Sequence, residues 1–210
     1  MNDFIIEMLL LAPPLLFALT FHEFAHGLVA YRLGDPTAKA AGRLTLNPLK
    51  HLDPLGTIAF FFIKIGWAKP VPVNAGYFKN PKKDMLWVAL AGPATNLVLA
   101  VVSAALTKGV WLLATILPYS AAAEAVLVPL NAMLIASVWI NLVLCIFNFL
   151  PIPPLDGSRI LTGLLPNHLA LSYMRLERFG FIIIIILAFS GLLSKAIVPI
   201  ISFAHSLLLS

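Results

Sequence analysis

From Phe4 to Leu33 the chain is almost continuously apolar, yet His22, Glu23 and His26 are set into that run. At ~1.5 Å per residue a helix of about 30 residues reaches ~45 Å, more than the ~30 Å hydrocarbon core of a bilayer. Pro13 and Pro14 interrupt it. Each removes a donor and crowds the preceding turn, so a kink or break is expected there. The stretch closes at Gly34-Asp35-Pro36, a helix stop signal. The same bias holds along the chain: 60% of its 210 residues are hydrophobic and 11% are charged. Soluble domains carry roughly 25% charged residues. Mean hydropathy is +0.96, which excludes a water-soluble globule. The expected fold class is an all-α polytopic membrane protein, a helical bundle of about four to six membrane segments forming one domain over 1–210.

The segments follow from composition. After the helix over 4–33, residues 35–83 hold eight Lys or Arg (Lys39, Arg43, Lys50, Lys64, Lys69, Lys79, Lys82 and Lys83) with recurrent Gly and Pro. The apolar run Leu55–Ile65 is too short to span as a helix. Val71 and Val73 alternate with prolines, which suits extended edge-like backbone. This region is expected to hold short β-strands and a re-entrant piece on the cytoplasmic side. Spanning helices are expected over 85–117 and 125–150, separated by Pro118–Glu124, which holds no basic residue. Leu150-Pro151-Ile152-Pro153-Pro154 cannot continue a helix, and the segment 151–165 then carries Asp156-Gly157. A basic linker with Arg175 and Arg178 precedes the last membrane segments over 179–209, made of the short runs Phe179–Leu193 and Ala196–Leu209.

Basic residues cluster at 32–83 and 159–178, whereas Asp3 and Glu7 begin the chain. The positive-inside tendency puts the N-terminus outside and the loop after His26 in the cytoplasm of a multi-pass cell-membrane protein. The net charge of +5 is therefore a topology signal, and nucleic acid is not an expected partner. A single cysteine, Cys145, excludes an internal disulfide. The first apolar run lacks a basic leader and extends too far for a cleavable signal peptide.

The chemistry centres on His22-Glu23-Phe24-Ala25-His26. Residues i and i+4 share a helix face, so both imidazoles can address one metal ion, with Glu23 about 100° around the helix beside it. This is the zinc hydrolase pattern, with the Glu as general base for a metal-activated water. The bland alternative is a chance pair of histidines on a buried helix. Burying two His and a Glu in an apolar stretch without purpose is unfavourable, so the metal reading prevails. His26 lies six residues before Arg32, about 9 Å along a helix, which places the site below the membrane surface, nearer the cytoplasmic side.

A catalytic zinc needs a third protein ligand. Asp156 follows a proline-rich break, where irregular backbone at membrane depth must line a cavity or be buried in protein. It serves equally as the N-cap of a helix beginning near Gly157, and the two roles are compatible. His51 and Asp53 lie in a turn-rich loop, where a loop carbonyl is a simpler partner for His51 than a metal. Cys145 reads as a small core residue. Asn96, Asn141 and Asn148, within or at the ends of the spanning helices, should face an interior or a cavity.

Several segments together resemble the site-2 proteases, intramembrane zinc metalloproteases. Phe21–Gly27 resembles the family's zinc helix, and Asn148-Phe149-Leu150-Pro151-Ile152-Pro153-Pro154-Leu155-Asp156-Gly157 its second motif. Ala91-Gly92-Pro93-Ala94-Thr95-Asn96 resembles the intervening Gly-Pro…Asn segment. Asn47-Pro48, His51–Thr57 and Gly66–Asn74 resemble a compact prokaryotic branch. The resemblance implies one Zn²⁺ per chain held by His22, His26 and Asp156, with Glu23 as the catalytic base. It implies that Asn148 lines the site and holds the substrate carbonyl or oxyanion, although an asparagine at a helix end also caps carbonyls. Asn96 is expected to be structural, packing or hydrogen-bonding near the site. The implied partners are a transmembrane protein or peptide substrate and the lipid bilayer, in a prokaryotic inner membrane. Neither a PDZ insertion nor a CBS pair is expected within these 210 residues. Two other classes compete. A zinc transporter or sensor would need several ligand sets along a path, and one coherent set is present. A non-catalytic scaffold would have no use for Glu23.

Overall fold

The computed structural model describes residues 2–63, 66–118 and 120–210. Helix α1 spans Asn2–Arg32 and runs through Pro13 and Pro14 without a break. The break expected there is absent, as membrane helices tolerate interior proline where neighbouring groups satisfy the freed carbonyls. After the turn at Gly34 (φ 107°) come a short helix α2 (Thr37–Ala40) and α3 (Pro54–Ile63). The long helices α4 (Pro81–Ile116) and α5 (Ala121–Phe149) follow. The chain then breaks at Leu150–Leu155, which includes a cis Pro153-Pro154 bond. It continues as α6 (Asp156–Leu164), α7 (Asn167–Met174), α8 (Glu177–Phe189) and α9 (Leu192–Leu209).

Among the described residues four helices are long and apolar enough to cross a membrane: α1, α4, α5 and α9. Helix α8, with 13 residues, reaches only about 20 Å and cannot span. At most 28% of each spanning window is buried within the bundle. Phe17, Trp111, Ile116, Phe189 and Phe203 are among the large apolar side chains left outside. Such a surface is compatible with lipid and not with water. The chain is an all-α, multi-pass membrane protein.

Helix α4 is the centre of the bundle and packs against α1, α5, α6 and α9. Small residues at these contacts let backbones approach closely, the usual basis of helix association in lipid. Ala100 and Ala104 of α4 meet Val138 and Leu142 of α5 and Ile201 of α9. Ser103 and Ser137 hydrogen-bond across the same contact at 2.8 Å. Lys108 near the end of α4 donates to the Ser210 carbonyl, so the C-terminus lies at that end of the bundle. At the other end Ala30, Phe78 and Val88 form a second cluster, tying the loop before α4 to the C-terminal turns of α1.

The strands expected in 35–83 are not formed among the described residues. One isolated antiparallel bridge joins Leu52 and Ala68, reinforced by Lys69 N–H to the His51 carbonyl at 2.8 Å. Pro70 and Pro72 have no N–H to extend a ladder. The piece expected over Leu55–Ile65 is helix α3 as far as Ile63, and Lys64 and Ile65 lie outside the described residues. Gly56 lets the two arms of this loop close, since a Cβ there would meet the Trp67 carbonyl at 2.3 Å. Phe60 and Trp67 line a small cavity with Leu15, Leu16 and Leu19 of α1, deeper along the helix than His22.

Candidate metal centre

His22 and His26 face the same side of α1, and both are buried. Their Nε2 atoms lie 3.0 Å apart. Asp156 opens α6 directly after the proline break, and its Oδ2 stands 3.2 Å from His22 Nε2 and 3.3 Å from His26 Nε2. Residue 156 is thus reached from the far end of α5, and a glycine makes the approach possible. A Cβ on Gly157 would meet the Phe149 and Leu150 carbonyls at 2.3 and 2.4 Å. Of the two roles open to Asp156, the cap is not the one adopted: the N-cap position of α6 is Leu155, without a side-chain cap.

The outer nitrogens determine what the inner ones offer. His22 Nδ1 donates to Asn96 Oδ1 at 2.5 Å, and His26 Nδ1 donates to the Val88 carbonyl at 2.7 Å. Asn96 must present its oxygen to His22, because its Nδ2 faces two acceptors, Asn141 Oδ1 at 2.8 Å and the Ala18 carbonyl at 3.3 Å. With both Nδ1 atoms carrying the proton, both Nε2 lone pairs point inward. Asp156 Oδ2 is buried without a hydrogen-bond donor among the described residues. Three acceptors packed within 3.3 Å of one another repel unless a positive centre sits among them. A single proton could satisfy only one pair. Ligand atoms ~2.0–2.1 Å from a tetrahedral zinc lie ~3.3 Å apart, so the triangle fits that ion within ~0.3 Å.

Gly92 supplies the remaining space. A Cβ there would meet His26 Nε2 at 2.5 Å and His22 Cε1 and Nε2 at 2.6 Å. Nothing in the Gly-Pro…Asn segment by itself assigns Gly92 a role. The usable signal was a glycine before a proline inside a spanning helix, a pattern that marks close approach. Asn96 hydrogen-bonds His22 directly. It is fully buried, as is Asn141, whose amide donates to Ser137.

Glu23 stands beside the ligands, half-buried, and its Oε2 accepts the backbone N–H of Val71 at 2.7 Å. Asn148 is half-buried, and its amide donates to the Leu144 carbonyl of its own helix at 2.9 Å. It takes no part in the hydrogen bonds that join the three candidate ligands. His51 is buried and bonds the Thr45 carbonyl at 2.8 Å, and Asp53 caps the Gly56 N–H at 2.9 Å. Neither belongs to the His22–His26–Asp156 group. Asp35 fastens the loop: Oδ2 accepts the Asn74 N–H at 2.7 Å and Oδ1 the Thr37 N–H at 2.9 Å. Burial alone would raise its carboxyl, but the hydrogen bonds from Thr37 and Asn74 hold it below the ordinary carboxylate range.

A family model described as Peptidase family M50 matches residues 111–191, which include Asn148–Gly157. Over 210 residues the chain is 41% identical to a Bacillus subtilis protein named "Putative zinc metalloprotease YwhC", covering 96% of this chain and 92% of that one. The chain belongs to peptidase family M50. Two mycobacterial proteins named "Putative zinc metalloprotease Rip2" are also similar. The Mycolicibacterium smegmatis protein is 31% identical over 185 residues, 86% of this chain and 66% of the relative. The Mycobacterium tuberculosis H37Rv protein is 28% identical over 182 residues, 82% of this chain and 63% of the relative. No solved structure matches. Membership of M50, the site-2 protease family, makes this chain a zinc-dependent metalloprotease with a protein substrate.

Proposed function

We propose that this M50 peptidase cuts a peptide bond in or near the transmembrane segment of a membrane protein, with His22, His26 and Asp156 holding zinc and Glu23 as the general base. The observation that carries this reading is the convergence of two inward Nε2 lone pairs and a donor-less buried carboxylate on a spanning helix. Zinc, when bound, supplies a Lewis acid that acidifies water and polarises a carbonyl. Glu23 takes the proton of the attacking water and delivers it to the leaving amine. Asn96 and the Val88 carbonyl hold the imidazoles in the tautomer that faces the ion. Asn148, at the end of α5, is assigned to the substrate carbonyl once its amide leaves Leu144.

The site belongs at the cytoplasmic side, because Arg32 closes the end of α1 that carries His26 and a stretch rich in Lys and Arg follows it in the sequence. The membrane is a prokaryotic inner membrane, in keeping with bacterial relatives. A substrate helix hides its carbonyls in hydrogen bonds, so it must unwind locally before attack. The extended stretch Val71–Asn74 is suited to receive it through its carbonyl groups, because the Val71 and Asn74 N–H groups are engaged by Glu23 and Asp35. A transporter or scaffold gains no support from any second ligand set among the described residues.

The test is Glu23→Gln in purified full-length protein against a single-span reporter. Zinc content should stay at the wild-type level while cleavage falls by about 10²–10⁴-fold, the usual contribution of a general base. Cleavage at the wild-type rate would refute the assignment.

A further inference from the structure

The segment Lys69-Pro70-Val71-Pro72-Val73 is fixed at several points. The Lys69 carbonyl accepts from Arg43 Nη2 at 2.6 Å, and the Lys69 N–H donates to the His51 carbonyl at 2.8 Å. Beyond Val73, the Asn74 N–H is held by Asp35 at 2.7 Å. Pro70 and Pro72 have no N–H, so Val71 carries the one backbone donor between Lys69 and Val73. That donor goes to Glu23 Oε2 at 2.7 Å. Val71 is 8% exposed, and its side chain lies over Gly27, one residue beyond the second histidine. A Cβ on Gly27 would stand 3.2 Å from Val71 Cγ1 and 3.3 Å from Ala38 Cβ, tighter than ordinary contact. The glycine thus admits the valine, and the valine brings its N–H to the carboxylate.

We propose that the Val71 backbone N–H is the positioning group for the general base, with the prolines on either side and Gly27 beneath as the parts that aim it. The inference rests on the peptidase reading of Glu23. A glutamate on a helix has three rotatable side-chain bonds, and its direction from the helix alone does not aim the carboxylate at the ion. One charge-assisted hydrogen bond to Oε2 removes that freedom and leaves Oε1 for the water. Prolines on both sides rule out the competing outcome in which neighbouring N–H groups pair elsewhere and draw the segment away. Val71 does not itself touch the reacting atoms.

The decisive experiment replaces the Pro70–Val71 amide by an ester in the full-length protein, which deletes the N–H and keeps the side chain. Val71→Pro is a second route to the same deletion. The readouts are zinc content, kcat and KM on a single-span reporter. A fourth is the ¹³C-glutamate infrared difference against Glu23→Gln, which isolates the Glu23 carboxylate stretch. The ester should keep zinc and KM within about twofold and lower kcat about 10- to 100-fold, as expected for a lost hydrogen bond to a charged group. The carboxylate band should move even in protein without activity. Gly27→Ala should lower kcat in the same way, and adding Val71→Ala, which removes the crowding Cγ1, should restore part of it. An unmoved band, or an unchanged kcat beside an inactive Glu23→Gln protein, overturns the positioning role and leaves the peptidase reading intact. Loss of zinc in the ester protein overturns it as well, since the N–H would then support the fold of the site. Wild-type cleavage by Glu23→Gln would instead sink the assignment of Glu23 as the general base.

Discussion

Gly92→Ala separates helix propensity from site geometry, because the two predict opposite signs. On propensity alone, alanine for glycine inside a helix stabilises by up to ~1 kcal/mol. In this bundle the new methyl would sit 2.5 Å from His26 Nε2 and 2.6 Å from His22 Nε2. Ordinary carbon–heteroatom contact is about 3.5 Å, so each ligand atom must retreat by roughly 1 Å. Metal–ligand distances tolerate only about 0.2 Å. Both histidines also lack freedom to swing, since their Nδ1 atoms are held by Asn96 and the Val88 carbonyl. Changes to groups that merely orient a ligand lower metal affinity about 10- to 100-fold, and displacing two ligands at once should exceed that range. We expect at least a 100-fold loss, or about 2.8 kcal/mol at 1.4 kcal/mol per decade. The assay is zinc competition against a chelator in detergent, with far-UV circular dichroism to show that helix content is retained. Zinc affinity within about threefold of wild type would refute the claim that Gly92 is the space in which the ligand nitrogens meet.

Other perturbations probe the supports of the same site. Asn96→Ala should weaken zinc binding by about 10- to 100-fold, and it should lower thermal stability because it leaves the His22 and Asn141 groups unpaired; unchanged affinity would mean that the His22 tautomer is set elsewhere. Gly157→Ala should abolish stoichiometric zinc binding by pushing Asp156 off the end of α5, and metal analysis showing one zinc per chain would count against this. Asp35, with its depressed carboxyl, contributes a tether that is complete above the ordinary carboxylate value and is lost as pH falls through its lower folded value. Asp35→Asn should therefore mimic the acid state at neutral pH, with amide exchange at Thr37 and Asn74 about 10-fold faster. Equal exchange would show that the loop is held without it.

Much of the architecture was legible because lipid leaves few options. An apolar run must become a helix when no water can satisfy its backbone, so the spans over 85–117 and 125–150 appear as Pro81–Ile116 and Ala121–Phe149. The His-x-x-x-His spacing placed both imidazoles on one face before any tertiary contact was known. The loop was less legible. Alternating Val and Pro suggested strands, but whether extended backbone becomes a sheet depends on what lies beside it, and here the Val71 and Asn74 donors are taken by Glu23 and Asp35. For Asp156, the sequence left capping and ligation open, because both need a carboxylate at the start of a helix.

By itself, then, the sequence determined the membrane class, the helix that carries His22, Glu23 and His26, and the break that frees Asp156. These follow from local chemistry: hydropathy, helical period and proline. Only the tertiary structure decided that Asp156 reaches the histidines across 130 residues of chain, a separation given by their numbers. It also decided that Gly92 leaves room for them, that Asn96 sets the His22 tautomer, and that a proline-flanked N–H meets the Glu23 carboxylate. Those contacts arise where α1, α4 and α6 pack together, and helix packing depends on the shapes of all three surfaces at once. No local pattern in one segment encodes that.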